Sequence, residues 1–263
     1  MINLVLYSNG EIFDKTKELL IKTIKNNSKN RIKIHEYNLE KISNLDWFNK
    51  IKLLPNVFID ENESDGWRKH GKRDGYFNSW KAFITLDVYN KMDKDEILYY
   101  VDCSQWVRTG FTENIDKLCE IIKKYKFIAG SVGDDIKNDD IHPPHCCNNL
   151  KVWNKIIPNN NNKLLLKKNT VLNSWYILTK NDTNEMFLKD WVYWSTYSDN
   201  YLKDPLVTYH HTGDQSIFNI LVHKYNLKVF YSKDITCVEN KDRNNVLKTI
   251  NNNTNIEQYF INL

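Results

Sequence analysis

The chain lacks a long apolar segment, a regular set of cysteines and a dense run of arginines, and each absence excludes a class of protein. Its longest apolar runs, such as residues 97–101, are far short of the roughly 20 residues that a membrane-spanning helix needs. The five cysteines are odd in number and irregularly spaced, which favours reduced thiols in a cytosol-like compartment. The first ten residues have neither a basic start nor a long apolar stretch. We therefore expect no secretory signal, no membrane span and a cytoplasmic protein.

The charge balance and the missing motifs exclude further classes. There are 37 Lys and Arg against 33 Asp and Glu, a formal net charge of +4, and the basic residues are scattered, so we expect no nucleic-acid partner. The chain has no G-x-x-x-x-G-K-[ST] phosphate loop, no G-x-S-x-G elbow and no H-E-x-x-H zinc motif. The segment HPPHCC at 142–147 lacks the second, separated pair of ligands that a structural zinc site uses. It therefore predicts a loop and no zinc.

What remains is an ordinary globular composition with a regular order of elements. Hydrophobic residues make up 41% and charged residues 27% of the 263 positions, which is typical of a folded domain. Apolar spacing predicts strands over 3–7, 31–37, 97–101, 127–131, 170–178 and 227–231. It predicts helices over 12–24, 80–92, 114–125, 150–156, 186–194 and 214–225, with a short amphipathic piece around 47–51. Alternating strands and helices indicate an α/β fold with a mostly parallel sheet between helices and a less regular C-terminal part.

Asp102 is the first candidate for a functional residue, because it follows the buried strand 97–101. Ligands of open parallel sheets bind beyond the carboxyl ends of the strands. A carboxylate in that position needs a metal, a hydroxyl group or a cation as its partner. The alternative interpretation is an aspartate that caps a turn.

Three segments together carry a resemblance to a known family. They are WK at 80–81, near the start of a predicted helix, YVDCS at 100–104, and HTGDQSIF at 211–218. In this order they resemble the motifs GYWxWKP, iYlDaG and hR.DQSxfsxL of a group of GT-A-fold glycosyltransferases. The resemblance covers residues 65–225 and the first strand. It implies a single Rossmann-like domain over 1–263, with a nucleotide-sugar-binding half over 1–131 and an acceptor-side half over 132–263.

The resemblance implies transfer of a sugar from a nucleoside-diphosphate donor, UDP favoured over GDP, to a hydroxyl group of a glycan or protein. On the donor side, it places Tyr7 and Ser8 beside the base and Lys81 against the diphosphate. Arg73, in the basic loop just before the helix of Lys81, is a candidate for a further phosphate contact, and the alternative is a solvated charge. Asp102 takes the first position of the family's DxD metal motif, which holds Mn or Mg against the phosphates.

Ser104 stands where most families have the second DxD carboxylate, and this leaves two interpretations of the donor site open. Asp102 contacts the divalent cation with help from water, or it binds the ribose hydroxyls while cationic side chains carry the charge.

On the acceptor side, the resemblance implies a chemical role for Asp214, as general base or as a group that orients the donor. The alternative is a helix N-cap, for which aspartate is well suited. His211 and Gln215 are implied sugar contacts, and Trp175 is a candidate aromatic contact for the acceptor.

Two other functions compete with sugar transfer. A non-catalytic carbohydrate or nucleotide-sugar binding protein of the same fold is favoured by Ser104. A nucleotidyltransferase would need a phosphate loop richer in Gly, Arg and Lys after the first strand than SNGEIFDK provides.

Overall fold

The computed structural model describes residues 1–8, 11–27, 31–51, 80–103, 105–107, 115–131, 150–158, 171–196, 214–231 and 237–239. The strands are β1 (Ile2–Tyr7), β2 (Ile32–Tyr37), β3 (Ile97–Val101), β4 (Gln105–Val107), β5 (Phe127–Ser131), β6 (Val171–Thr179), β7 (Val229–Tyr231) and β8 (Cys237–Glu239). The helices are α1 (Glu11–Asn27), α2 (Leu39–Ser43), α3 (Asp46–Ile51), α4 (Trp80–Lys91), α5 (Ile115–Tyr125), α6 (Leu150–Ile156), α7 (Asp182–Ser195) and α8 (Asp214–Lys224). The predicted helices and strands are confirmed, with ends that shift by a few residues. The short elements α2, β4 and β8 were not predicted.

Six strands form one sheet in the order β2-β1-β3-β6-β5-β7, and β4 pairs with β8 in a separate ladder. β1 runs parallel to β2 and β3, and β5 runs parallel to β7, so the expected α/β fold with a mostly parallel sheet is confirmed. β6 differs because it is antiparallel to both of its neighbours, β3 and β5. Its sequence is apolar on both faces, and such a run does not specify the direction in which a strand pairs.

Helices cover both faces of the sheet, and alternate residues of each strand divide between the two layers. In β1, Leu4 and Leu6 join a core with residues of α1 and α5, whereas Val5 and Tyr7 join a core with residues of α4, α7 and α8. Within the described residues, no helix has the length and apolarity to cross a bilayer.

Candidate functional site

One edge of the sheet collects several of the predicted site residues, and we call it the carboxyl edge. The parallel strands β1 and β3 both end there, at Tyr7 and Val101. The antiparallel β6 starts at the same edge, because Trp175 pairs with Val101 and β6 begins four residues earlier at Val171. Asp102 follows β3 directly, and its backbone N–H donates to the carbonyl of Ser174 at 2.7 Å. Asp102 is therefore fixed to two strands where parallel sheets bind their ligands.

The carboxylate of Asp102 is paired with the ammonium group of Lys81 in the first turn of α4. Lys81 Nζ lies 3.1 Å from Asp102 Oδ1 and 3.2 Å from Oδ2. The Lys81 side chain is 8% exposed and the Asp102 side chain 26% exposed, so the carboxylate is the more accessible partner. A buried ammonium group needs such a partner to offset its lost hydration. The ion pair thus joins the end of β3 to the first turn of α4.

Tyr100 of β3 forms a second contact with the Asp102 carboxylate. Its hydroxyl donates to Asp102 Oδ1 at 2.6 Å. Burial, and after it the negative charge of Asp102, raises the pKa of Tyr100 well above its usual value, so the hydroxyl stays protonated as a donor. The Tyr100 ring stacks on Tyr176 of β6, with centroids 4.9 Å apart and an 11° angle between the ring planes. The orientation of the carboxylate is therefore set by both a cation and a rigid donor.

The hydroxyl groups of Thr85 and Tyr176 form a short hydrogen-bonded chain that ends at the backbone carbonyl of Lys81. Thr85 Oγ1 donates to the backbone carbonyl of Lys81 at 2.7 Å, one helical turn away. The same hydroxyl lies 2.5 Å from the hydroxyl of Tyr176, which is then the donor, because the single proton of Thr85 is already used. The ammonium group also lies 5.7 Å from the ring centre of Trp80 and 5.8 Å from that of Tyr100, within range of cation–π attraction.

Tyr7 and Ser8, the two predicted base contacts, lie at the end of β1 and are both buried. The Tyr7 ring stacks on Trp80, with centroids 3.8 Å apart. Burial, followed by the charges of Asp14 and Cys103, raises the pKa of Tyr7, so its hydroxyl is neutral at physiological pH. The Ser8 hydroxyl donates to Asp14 of α1 and connects the end of β1 to the following helix. Stacking on Trp80 joins the end of β1 to the start of α4 beside Lys81.

The start of α8 is attached to the start of β6, and this brings Asp214 to the carboxyl edge. The Gln215 amide donates to the carbonyl of Val171, and the Val171 N–H donates to the Asn219 side chain at 2.9 Å. The two bonds use both backbone groups of the first residue of β6. Asp214 is the first residue of α8, so its backbone lies at this anchored end.

Trp175 lies on the other face of the sheet from Tyr100 and Tyr176. It is 2% exposed and belongs to the core formed with residues of α1 and α5. A Cβ atom added to Gly130 of β5 would lie only 2.7 Å from Cζ2 of Trp175. The structure thus encloses this ring in the core, with no open face for an acceptor sugar.

Three of the predicted site residues, Arg73, Ser104 and His211, lie outside the described residues, as do the side chain of Asp214 and the loop at 142–147. Sequence reasoning missed Tyr100 and Thr85 as members of the site. A signal for Tyr100 was available, because residues two apart in a strand share a face and Tyr100 precedes Asp102 by two positions.

Among the residues that the structure describes, those around Asp102 do not fit a divalent cation. Its two oxygens already accept from an ammonium group and a phenol hydroxyl, and a dication would be placed beside the positive charge of Lys81. In the part of the chain that the structure describes, no three His, Cys, Asp or Glu side chains come together as a metal site would require.

The fold and the site together define an α/β protein with an oriented ion pair at the carboxyl edge of its sheet. No family model matches the chain, and no curated protein matches its sequence. Among solved structures, mouse xyloside xylosyltransferase 1 in its apo form is similar with a TM-score of 0.48 and 9% identity, over 88% of this chain and 85% of that one.

Two other glycosyltransferases are similar in the same way. The galactosyltransferase LgtC, in complex with donor and acceptor sugar analogues, has a TM-score of 0.40 and 12% identity, over 83% of this chain and 70% of that one. The apo form of GlyE from Streptococcus pneumoniae has a TM-score of 0.43 and 12% identity, over 88% of this chain and 45% of that one. Because these TM-scores are below 0.5, we argue function from the residues of this chain.

Proposed function

We propose that this chain is a GT-A-like glycosyltransferase that moves a sugar from a nucleoside-diphosphate donor to a hydroxyl group of a glycan or protein. The Lys81–Asp102 pair at the carboxyl edge is the observation that carries the proposal. Its two members come from residues 21 positions apart, on α4 and after β3, and they meet at 3.1 Å.

The chemistry of sugar transfer explains why such a pair is useful. The bond between the anomeric carbon and the diphosphate breaks, and the diphosphate leaves with an increased negative charge. Fixed positive charges and fixed dipoles near the departing diphosphate oxygen stabilise the transition state, because they need no rearrangement during the reaction. Lys81 supplies a positive charge that Asp102 holds in one place, and Arg73 is the second cation that we assign to the diphosphate.

The remaining groups at the carboxyl edge divide between donor and acceptor. We assign the end of β1, with Tyr7 and Ser8, to the nucleoside, and we take UDP as the first donor to test. Asp214 at the start of α8 is the group that we assign to the acceptor hydroxyl or the donor sugar. Gln215 and His211 complete the acceptor side.

A ligand-binding test addresses the proposal directly. A donor that binds the folded chain alone raises its stability by about 2.7 kcal/mol at a concentration of 100 times Kd. We expect a panel of UDP-sugars and GDP-sugars to include at least one that raises Tm, and we expect Lys81→Ala and Asp102→Ala to abolish the increase. If no nucleotide sugar raises Tm, or if both variants respond as the parent does, the proposal is wrong.

A second candidate, a nucleotide-sugar binding protein without catalysis, is favoured by Ser104 in the position of the second DxD carboxylate. Slow hydrolysis of the bound donor to free nucleoside diphosphate separates the two. Release of nucleoside diphosphate supports the enzyme. Donor binding without any such release supports the binding protein, and release of pyrophosphate would indicate a nucleotidyltransferase.

A further inference from the structure

The charges around Asp102 bear on how a nucleotide sugar would be held. Lys81 lies within 3.2 Å of both carboxylate oxygens, so the pair as a whole carries no net charge. A diphosphate arriving at the carboxyl edge therefore meets no uncompensated carboxylate. In a site with a free aspartate, a divalent cation is needed to bridge the carboxylate and the phosphates. Here the positive charge is part of the protein.

The ion pair between Lys81 and Asp102 is held in place by the residues around it. Lys81 is 8% exposed, and its ammonium group contacts both oxygens of Asp102, so the side chain has little room to move away from the carboxylate. Tyr100 donates to Oδ1 and reduces the capacity of that oxygen for a metal. The first turn of α4 contains no acidic residue that would compete with Asp102 for the Lys81 ammonium group.

We propose that this site binds its nucleotide-sugar donor without a divalent cation, because the Lys81 ammonium group already neutralises the carboxylate that a metal bridges to the phosphates in DxD enzymes. The proposal rests on the proposed function, and it selects between the two roles that the sequence leaves open for Asp102. The 26% of the Asp102 side chain that is exposed then accepts a donor hydroxyl.

The test compares donor binding by calorimetry in EDTA and in excess Mn²⁺, with UDP and the UDP-sugar that raises Tm as probes. We expect the Kd of the parent chain to differ by less than about tenfold between the two conditions. Lys81→Met removes the charge and keeps most of the side-chain length. Its Kd should rise by at least about tenfold in EDTA and recover in Mn²⁺, because the released carboxylate of Asp102 can then hold the metal.

Two further variants serve as controls. Lys91→Met changes another lysine of α4 that pairs with an aspartate, Asp87 at 2.7 Å, and it should bind the probes as the parent does. If Lys81→Met does not fold because it leaves a buried carboxylate unpaired, Lys81→Met/Asp102→Asn removes both charges together. This double variant should bind weakly in EDTA and should not recover in Mn²⁺.

The outcomes separate this proposal from the function on which it rests. Binding of the probes by the parent chain only in Mn²⁺ overturns the metal-independent site and leaves the glycosyltransferase proposal standing. Mn²⁺ bound to the parent chain in the absence of nucleotide, detected by electron paramagnetic resonance, overturns it as well. A Lys81→Met chain that binds the probes in EDTA as tightly as the parent also overturns the metal-independent site. Absence of binding to any nucleotide sugar in either condition overturns the proposed function itself.

Discussion

The hydroxyl of Tyr100 is a single donor whose acceptor is the charged carboxylate of the candidate site. Hydrogen bonds to charged groups contribute about 1.5–3 kcal/mol, more than neutral ones. Tyr100→Phe removes this bond and keeps the ring that stacks on Tyr176. We expect the free energy of unfolding in urea to fall by about 2 kcal/mol. Donor affinity should fall too, because Asp102 is then oriented by Lys81 alone.

A matched substitution separates stability from binding. Tyr89→Phe on α4 also removes a phenol hydroxyl, but one at the other end of the helix, which donates to the backbone carbonyl of Asn181 at 2.8 Å and accepts from its N–H at 2.9 Å. Loss of both bonds should lower stability by about 2 kcal/mol and leave the Kd of the donor unchanged. Equal effects of the two substitutions on donor binding would remove Tyr100 from the site.

At the scale of elements, the contact between β5 and β6 depends on the absence of a side chain at Gly130. The ladder between these strands shifts its register between Ala129 and Gly130, and the Trp175 ring occupies the space over the glycine. Gly130→Ala would place a methyl group 2.7 Å from that ring, and overpacking of this kind costs about 1–3 kcal/mol of stability.

A double-variant cycle tests whether the ring of Trp175 is the cause. Trp175→Leu removes the ring atoms that the new methyl group would meet. Gly130→Ala/Trp175→Leu should therefore lose less stability, measured by urea unfolding, than the sum of the two single variants. Strictly additive losses would show that the two residues do not interact.

Most helices and strands could be predicted from the sequence. Which strands pair, and in which direction, could be predicted less well. The apolar spacing of 12–24, 80–92 and 97–101 depends only on local periodicity, which is why these elements could be recognised. The meeting of Lys81 and Asp102 could be expected because the rule for strand ends and the family resemblance both point to the same edge. The resemblance suggested Trp175 as an acceptor contact, but its burial depends on the closeness of its ring to Gly130 and on the direction of β6, which are long-range properties that local pattern does not contain.

For the whole molecule, the burial of His35, reinforced by nearby lysines, makes stability depend on pH. This half-buried residue of β2 lies with Nε2 2.8 Å from Asn3 Oδ1. Burial lowers the pKa of His35 below the usual 6.5, and nearby lysines lower it further against an opposing aspartate. The lysines that lower the pKa are Lys33, Lys41 and Lys91, and the aspartate that raises it is Asp87. The unfolded chain therefore binds a proton at His35 more readily than the folded chain does.

Since the unfolded state takes up the extra proton, the free energy of unfolding is highest above the unfolded pKa of 6.5 and falls as the pH is lowered through the interval below it. Urea unfolding of the parent chain and of His35→Gln, at about pH 7.5 and about pH 5.5, measures this contribution. The other six histidines, present in both chains, cancel in the comparison. The parent should lose more stability on acidification than the variant does. Equal losses would mean that folding does not change the protonation of His35, and that the acid sensitivity of the molecule arises elsewhere.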